Sequence, residues 1–86
     1  NPAAMTVSGI LAVAEPDRLS EVHAAIDRLP WAHVHFAEPS GRLVVTLDSA
    51  DVHGAAEQLT QLCTIPGLRS ADLVEVRSLP DEVESA

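Results

Sequence analysis

The chain has no lysine and no tyrosine, and it holds one tryptophan, one phenylalanine and one cysteine among 86 residues. Each scarcity closes off a class of function. Five arginines stand against thirteen carboxylates, for a formal net charge of −8. Such a chain cannot neutralise a phosphate backbone, and Trp31 and Phe36 are too few to stack bases, so nucleic-acid binding is excluded. The lone Cys63 allows no internal disulfide, which suits a reducing compartment, and its place at the end of an apolar helical pattern predicts a core residue. No apolar run is long enough to span a bilayer: the longest is preceded by Ser8-Gly9 and stopped by Glu15-Pro16-Asp17. No basic segment precedes it either, so neither a secretory signal nor membrane insertion is expected, and a cytoplasmic location is.

What the chain does have is aliphatic surface, with 47% hydrophobic residues. The length predicts one domain over residues 5–78, burying roughly 60–65% of the unfolded surface. Asn1-Pro2-Ala3-Ala4 ahead of Met5 reads as a remnant of an expression vector. Residues 79–86, with Pro80 and three acids, read as a mobile acidic tail.

Strands are predicted over Val7–Ala14, Ala32–Glu38, Leu43–Leu47 and about Ser70–Arg77, with Pro39-Ser40-Gly41 turning the second into the third as a hairpin. Leu19, Val22, Ile26 and Leu29 recur at helical spacing after Glu15-Pro16-Asp17 and stop at Pro30. Val52, Ala55, Ala56, Leu59, Leu62 and Cys63 do the same after Asp48-Ser49-Ala50-Asp51, a run of cap residues, and stop at Pro66-Gly67. The first stripe maps onto the second with a constant shift of 33 residues. Two right-handed βαβ units then give an α+β, ferredoxin-like βαββαβ plait: a four-stranded antiparallel sheet with both helices on one face.

The other face is left bare, yet the strands are apolar at nearly every position, as in a sheet that is dry on both sides. The shift of 33 pairs Ile10, Ala12 and Ala14 with Leu43, Val45 and Leu47 on the helix side. Val7, Gly9, Leu11, Val13, Arg42, Val44 and Thr46 then fall on the open face, with His33 and His35 from the second strand and Asp72, Val74 and Val76 from the last. Val34 and Phe36 alternate to the helix side, as does Glu75 unless a bulge turns it outward. Asp72 and Glu75 are the candidate partners for basic groups.

No set of side chains predicts catalysis or a cofactor. His33 and His35 could share a metal only with a third ligand, and His23 and His53 lie on the opposite side of the sheet. There is no Cys-x-x-Cys. Acylphosphatase-type chemistry needs an asparagine to position water, and the only one is Asn1. No serine sits in a Gly-flanked elbow. The protein is therefore expected not to be an enzyme.

Ser8-Gly9-Ile10-Leu11-Ala12-Val13, Leu29-Pro30, Ser40-Gly41-Arg42-Leu43-Val44-Val45, Ile65-Pro66-Gly67-Leu68 and Asp72-Leu73-Val74, in that order and spacing, resemble the NapD family from Met5 to about Arg77. The sequence departs from that pattern at Trp31-Ala32-His33, where a Gly and an acid are usual, and at Glu75-Val76, where Tyr-His is common. The resemblance implies a cytoplasmic assembly chaperone that binds the twin-arginine signal peptide of the periplasmic nitrate reductase catalytic subunit. It would restrain export until cofactor insertion is complete. The peptide would lie on Val7, Gly9, Leu11, Val13, Val44, Thr46, Asp72, Val74, Glu75 and Val76. A signal that joins a basic to an apolar segment complements an acidic protein with a bare apolar face. The competing reading is a homo-oligomeric, ACT-like small-molecule sensor in which sheets or their edges pair between copies; a homodimer is compatible with either.

Overall fold

A computed structural model describes residues 5–79 of the chain; the leading tetrapeptide and the tail beyond Leu79 lie outside the described residues. Four strands and two helices follow one another as β1 (Met5–Ala14), α1 (Leu19–Asp27), β2 (Ala32–Ala37), β3 (Arg42–Ser49), α2 (Val52–Leu62) and β4 (Leu68–Leu79). The last strand starts earlier and runs longer than the sequence pattern predicts, taking in Leu79, which was assigned to the tail.

The breakers stand where the chain needs them. Pro16 opens a single 3₁₀ turn, Pro16–Arg18, that leads into α1. Arg28 and Leu29 donate back to the carbonyls of Ala25 and Ile26, closing α1 before Pro30. At α2 the Asp51 carboxylate caps the helix by accepting from the Gly54 N–H at 2.8 Å. Gly41 (φ 107°) and Gly67 (φ 93°) supply the left-handed turns before β3 and β4. Both turns clasp the end of β1: Ala14 N–H donates to Gly41 O at 2.7 Å and Glu15 N–H to Gly67 O at 2.8 Å.

The sheet order is β2-β3-β1-β4, and each neighbouring pair is antiparallel. β1 is thus hydrogen-bonded on both sides. Its even residues Ile10, Ala12 and Ala14 are buried with Leu43, Val45 and Leu47 of β3 against Val22 and Ile26 of α1 and Leu62 of α2. One continuous core drawing on both helices places both on the same face, which is the ferredoxin-like plait. Trp31 and Leu29 pack against this core from its end. Cys63 corrects the expectation for it: the residue that ends α2 is exposed rather than in the core, because it follows the buried Leu62 by one position on the helix and so falls off the edge of the buried stripe.

Ile26 and Leu47 are fully buried. A glutamate at either position buries an unpaired charge, which costs several kcal/mol out of a total stability of about 5–15 kcal/mol. Ile26→Glu and Leu47→Glu should therefore give no cooperative thermal melt by circular dichroism. Gly41→Ala faces a positive φ and a Cβ pressed onto the Ala14 carbonyl, and should lose more than about 1 kcal/mol in a urea titration.

Candidate functional site

The face away from the helices is assembled in rows across the sheet by the registers of β1. One row sets Ser70, Val13 and Arg42 side by side; the next sets Asp72, Leu11, Val44 and Phe36. The third row holds Glu75, Gly9, Thr46 and His33, and the fourth Arg77, Val7 and Asp48. Among the described residues nothing packs over this face. Leu11, Val44, Phe36 and Val74 are 38%, 41%, 53% and 68% exposed, while Val45 and Leu47, one residue away on β3, are fully buried. A contiguous apolar patch rimmed by polar groups is the usual mark of an interaction surface.

Two of the three register shifts in the sheet decide who reaches this face. In β4 an extra residue, Val74, is inserted between Leu73, opposite Ile10, and Glu75, opposite Gly9. The bulge resets the alternation, so Asp72, Val74 and Glu75 all belong to the open face. Val76 corrects the sequence assignment: it lies opposite the buried Ser8, on the helix side, because the bulge inverts every residue beyond it. In β2 an extra residue, His35, separates Val34, opposite Val45, from Phe36, opposite Val44. Phe36 therefore turns to the open face instead of the helix side. Strict alternation in Val34-His35-Phe36 pointed the other way, and no glycine marks either bulge. Arg77 and Asp48 are two further residues of this face that the sequence pattern does not reveal, the first because of the same bulge and the second because it falls in the run of cap residues before α2.

The charges on the face are mostly spoken for. Arg77 Nη2 donates to Glu75 Oε2 at 2.7 Å. His33 Nε2 lies 2.8 Å from Asp48 Oδ2, and His35 Nε2 lies 2.7 Å from Thr46 Oγ1. Asp72 makes no ion pair among the described residues, although it stands beside Leu11 at the β4 margin of the apolar patch. An exposed carboxylate set in aliphatic surface can take a guanidinium whose methylene stem lies along that surface. The two histidines that could have shared a metal are each held by a different partner. Among the described residues no group of three or more His, Cys, Asp or Glu side chains converges.

Gly9 lies at the centre of the face, at the floor of two adjoining hollows. One of about 360 Å³ is lined by Val7, Gly9, Thr46, Glu75 and Arg77. The other, of about 430 Å³, lies against Leu11, Val44 and Val74. No described helix is long and apolar enough to cross a membrane.

The solved structure of the Tat proofreading chaperone NapD of E. coli matches with a TM-score of 0.78 at 19% identity, covering 95% of this chain and 86% of that one. At that identity the likeness concerns the fold. No curated protein sequence matches. The model of the NapD protein family matches residues 5–75, which takes in both helices, the whole of β1, β2 and β3 and β4 as far as Glu75, and the chain belongs to that family.

Proposed function

We propose that this chain is a cytoplasmic chaperone that takes the twin-arginine signal peptide of a periplasmic nitrate reductase catalytic subunit onto its uncovered sheet face. It would hold that precursor back from export until the cofactor has been inserted. The observation that carries the reading is the combination of exposed Leu11, Val44, Phe36 and Val74 with Asp72, which has no ion-pair partner among the described residues, and nearby Glu75, in a chain of the NapD family. A segment that is basic at one point and apolar at the next is the complement of that surface. The E. coli protein of the same fold is a Tat proofreading chaperone.

The peptide lies across the face and not along an edge. Both edge strands, β2 and β4, carry bulges, which twist an edge away from strand addition. The same bulges disfavour edge-to-edge pairing of two copies, the arrangement on which the small-molecule sensor reading rests. A segment on the face finds the sheet's backbone groups already paired, so it must satisfy its own, and an amphipathic helix does that while presenting an apolar stripe. The protein acts by binding alone, and no described cluster of side chains supplies a nucleophile with its base.

Titration of isotopically labelled protein with a twin-arginine signal peptide should shift amide resonances in β1, β3 and β4 on the open side. A twin-lysine peptide should bind more weakly, because an ammonium cannot pair with a carboxylate in bidentate fashion. Shifts confined to the helices, or equal affinity for both peptides, would count against the reading. Leu11→Glu and Val74→Glu sit on already exposed surface and should melt at nearly the wild-type temperature while losing the peptide.

Affinity should fall as salt is raised but level off above zero. Contacts to Asp72 and Glu75 are screened over a Debye length of about 10 Å at 0.1 M salt, whereas apolar burial is not. An affinity independent of salt from 0.05 to about 0.5 M would remove the charged residues from the account.

A further inference from the structure

Gly9 is a glycine for which the fold has no use. It stands in the middle of β1, between Thr46 of β3 and Glu75 of β4. Its backbone is not in the left-handed region, which among the described glycines is confined to Gly41 and Gly67. A methyl group at Gly9 would come no closer than 3.8 Å to the Glu75 side chain, an ordinary van der Waals contact. The neighbouring bulge does not call for it either, since the inserted residue is Val74 on the opposite strand. A glycine inside a strand weakens it through backbone entropy and lost packing, and where no turn or bulge requires one it marks the close approach of something else.

The geometry points to the hollow above Gly9 as a seat for one bulky apolar side chain of the bound signal peptide, of leucine or phenylalanine size. This rests on the reading of the open face as the peptide's site and adds the position that reads the peptide's shape. The hollow of about 430 Å³ has Gly9 as its floor and Leu11, Val44 and Val74 as apolar walls, with Thr46 and Glu75 at its margin. A cavity of roughly 150 Å³ already holds a benzene ring, so a leucine or phenylalanine side chain fits with space for the turn of helix that carries it. Asp72, the Cα partner of Leu11 and free of ion pairs among the described residues, stands within the same patch. The apolar residue that fills the hollow therefore brings a basic neighbour onto Asp72, and the pair of seats selects an apolar side chain adjacent to an arginine in space. A side chain at position 9 would occupy the hollow from below.

The test is a series of Gly9→Ala, Gly9→Val and Gly9→Leu proteins, each melted and each titrated with the twin-arginine signal peptide beside the wild type. The melting temperatures should equal or exceed that of the wild type, while affinity falls with side-chain size, by roughly tenfold or more for Gly9→Leu. A Gly9→Leu protein that folds and binds as tightly as the wild type overturns the seat and leaves the signal-peptide reading standing. Failure of the wild type itself to bind overturns both. Gly9→Ala melting well below the wild type would show that the fold needs the glycine, and a series that alters self-association in place of peptide binding would hand the hollow to a second copy; either result overturns the proposal.

Discussion

Everything in this small domain hangs on β1 being paired on both sides, to β3 along eight residues and to β4 along its whole length. That double pairing locks the parity of β1. Once Ile10 and Ala12 face the helices, Gly9 and Leu11 must face away, and β3 follows because Val45 and Leu43 lie directly across. A slip of one residue would put Leu11 under the helices and Ile10 in water, so the core and the open face are specified by the same constraint. The two turn glycines reinforce it, since their carbonyls accept from the N–H groups of Ala14 and Glu15 at the end of the strand.

With two α-helices among the described residues, both on one face, the core is single-sided and thin. Its largest members are Ile10, Ile26, Leu43, Leu47 and Leu62, and no aromatic ring is fully buried in it. The Gln58 side chain ties α2 to β3 by donating to the Asp48 carbonyl at 2.9 Å. In a domain that buries so little, aliphatic surface left outside the core is expensive to keep unless something covers it. The row of Leu11, Val44 and Phe36 is such surface. Its exposure is hard to account for by folding and easy to account for by binding.

The bulges in β4 and β2 do two things at once. They recruit Glu75, Arg77 and Phe36 to the open face, and they roughen the two outer edges against strand addition. The face is thereby favoured as a docking surface over either edge. They also bring the charged pair Glu75–Arg77 onto the rim of the apolar patch, near Asp72.

The order of elements, the turns and the identity of the core were legible in the chain before any coordinates. Helical stripes at Leu19, Val22 and Ile26 and at Ala55, Leu59 and Leu62, the punctuating prolines and glycines, and the repeat shift of 33 residues are local signals, and local signals survive being read one residue at a time. The open-face assignment of Val7, Gly9, Leu11, Val13, Val44 and Thr46 followed from the same parity. Phe36, Val76 and Cys63 did not follow. Whether a strand carries an extra residue depends on how it pairs with its neighbour, and whether a residue at the margin of a helical stripe is buried depends on what packs there. Val74 and His35 are bulged residues with ordinary side chains and no glycine in their own strands, so only the pairing of β4 with β1 and of β2 with β3 decided which side chains those strands present to the open face.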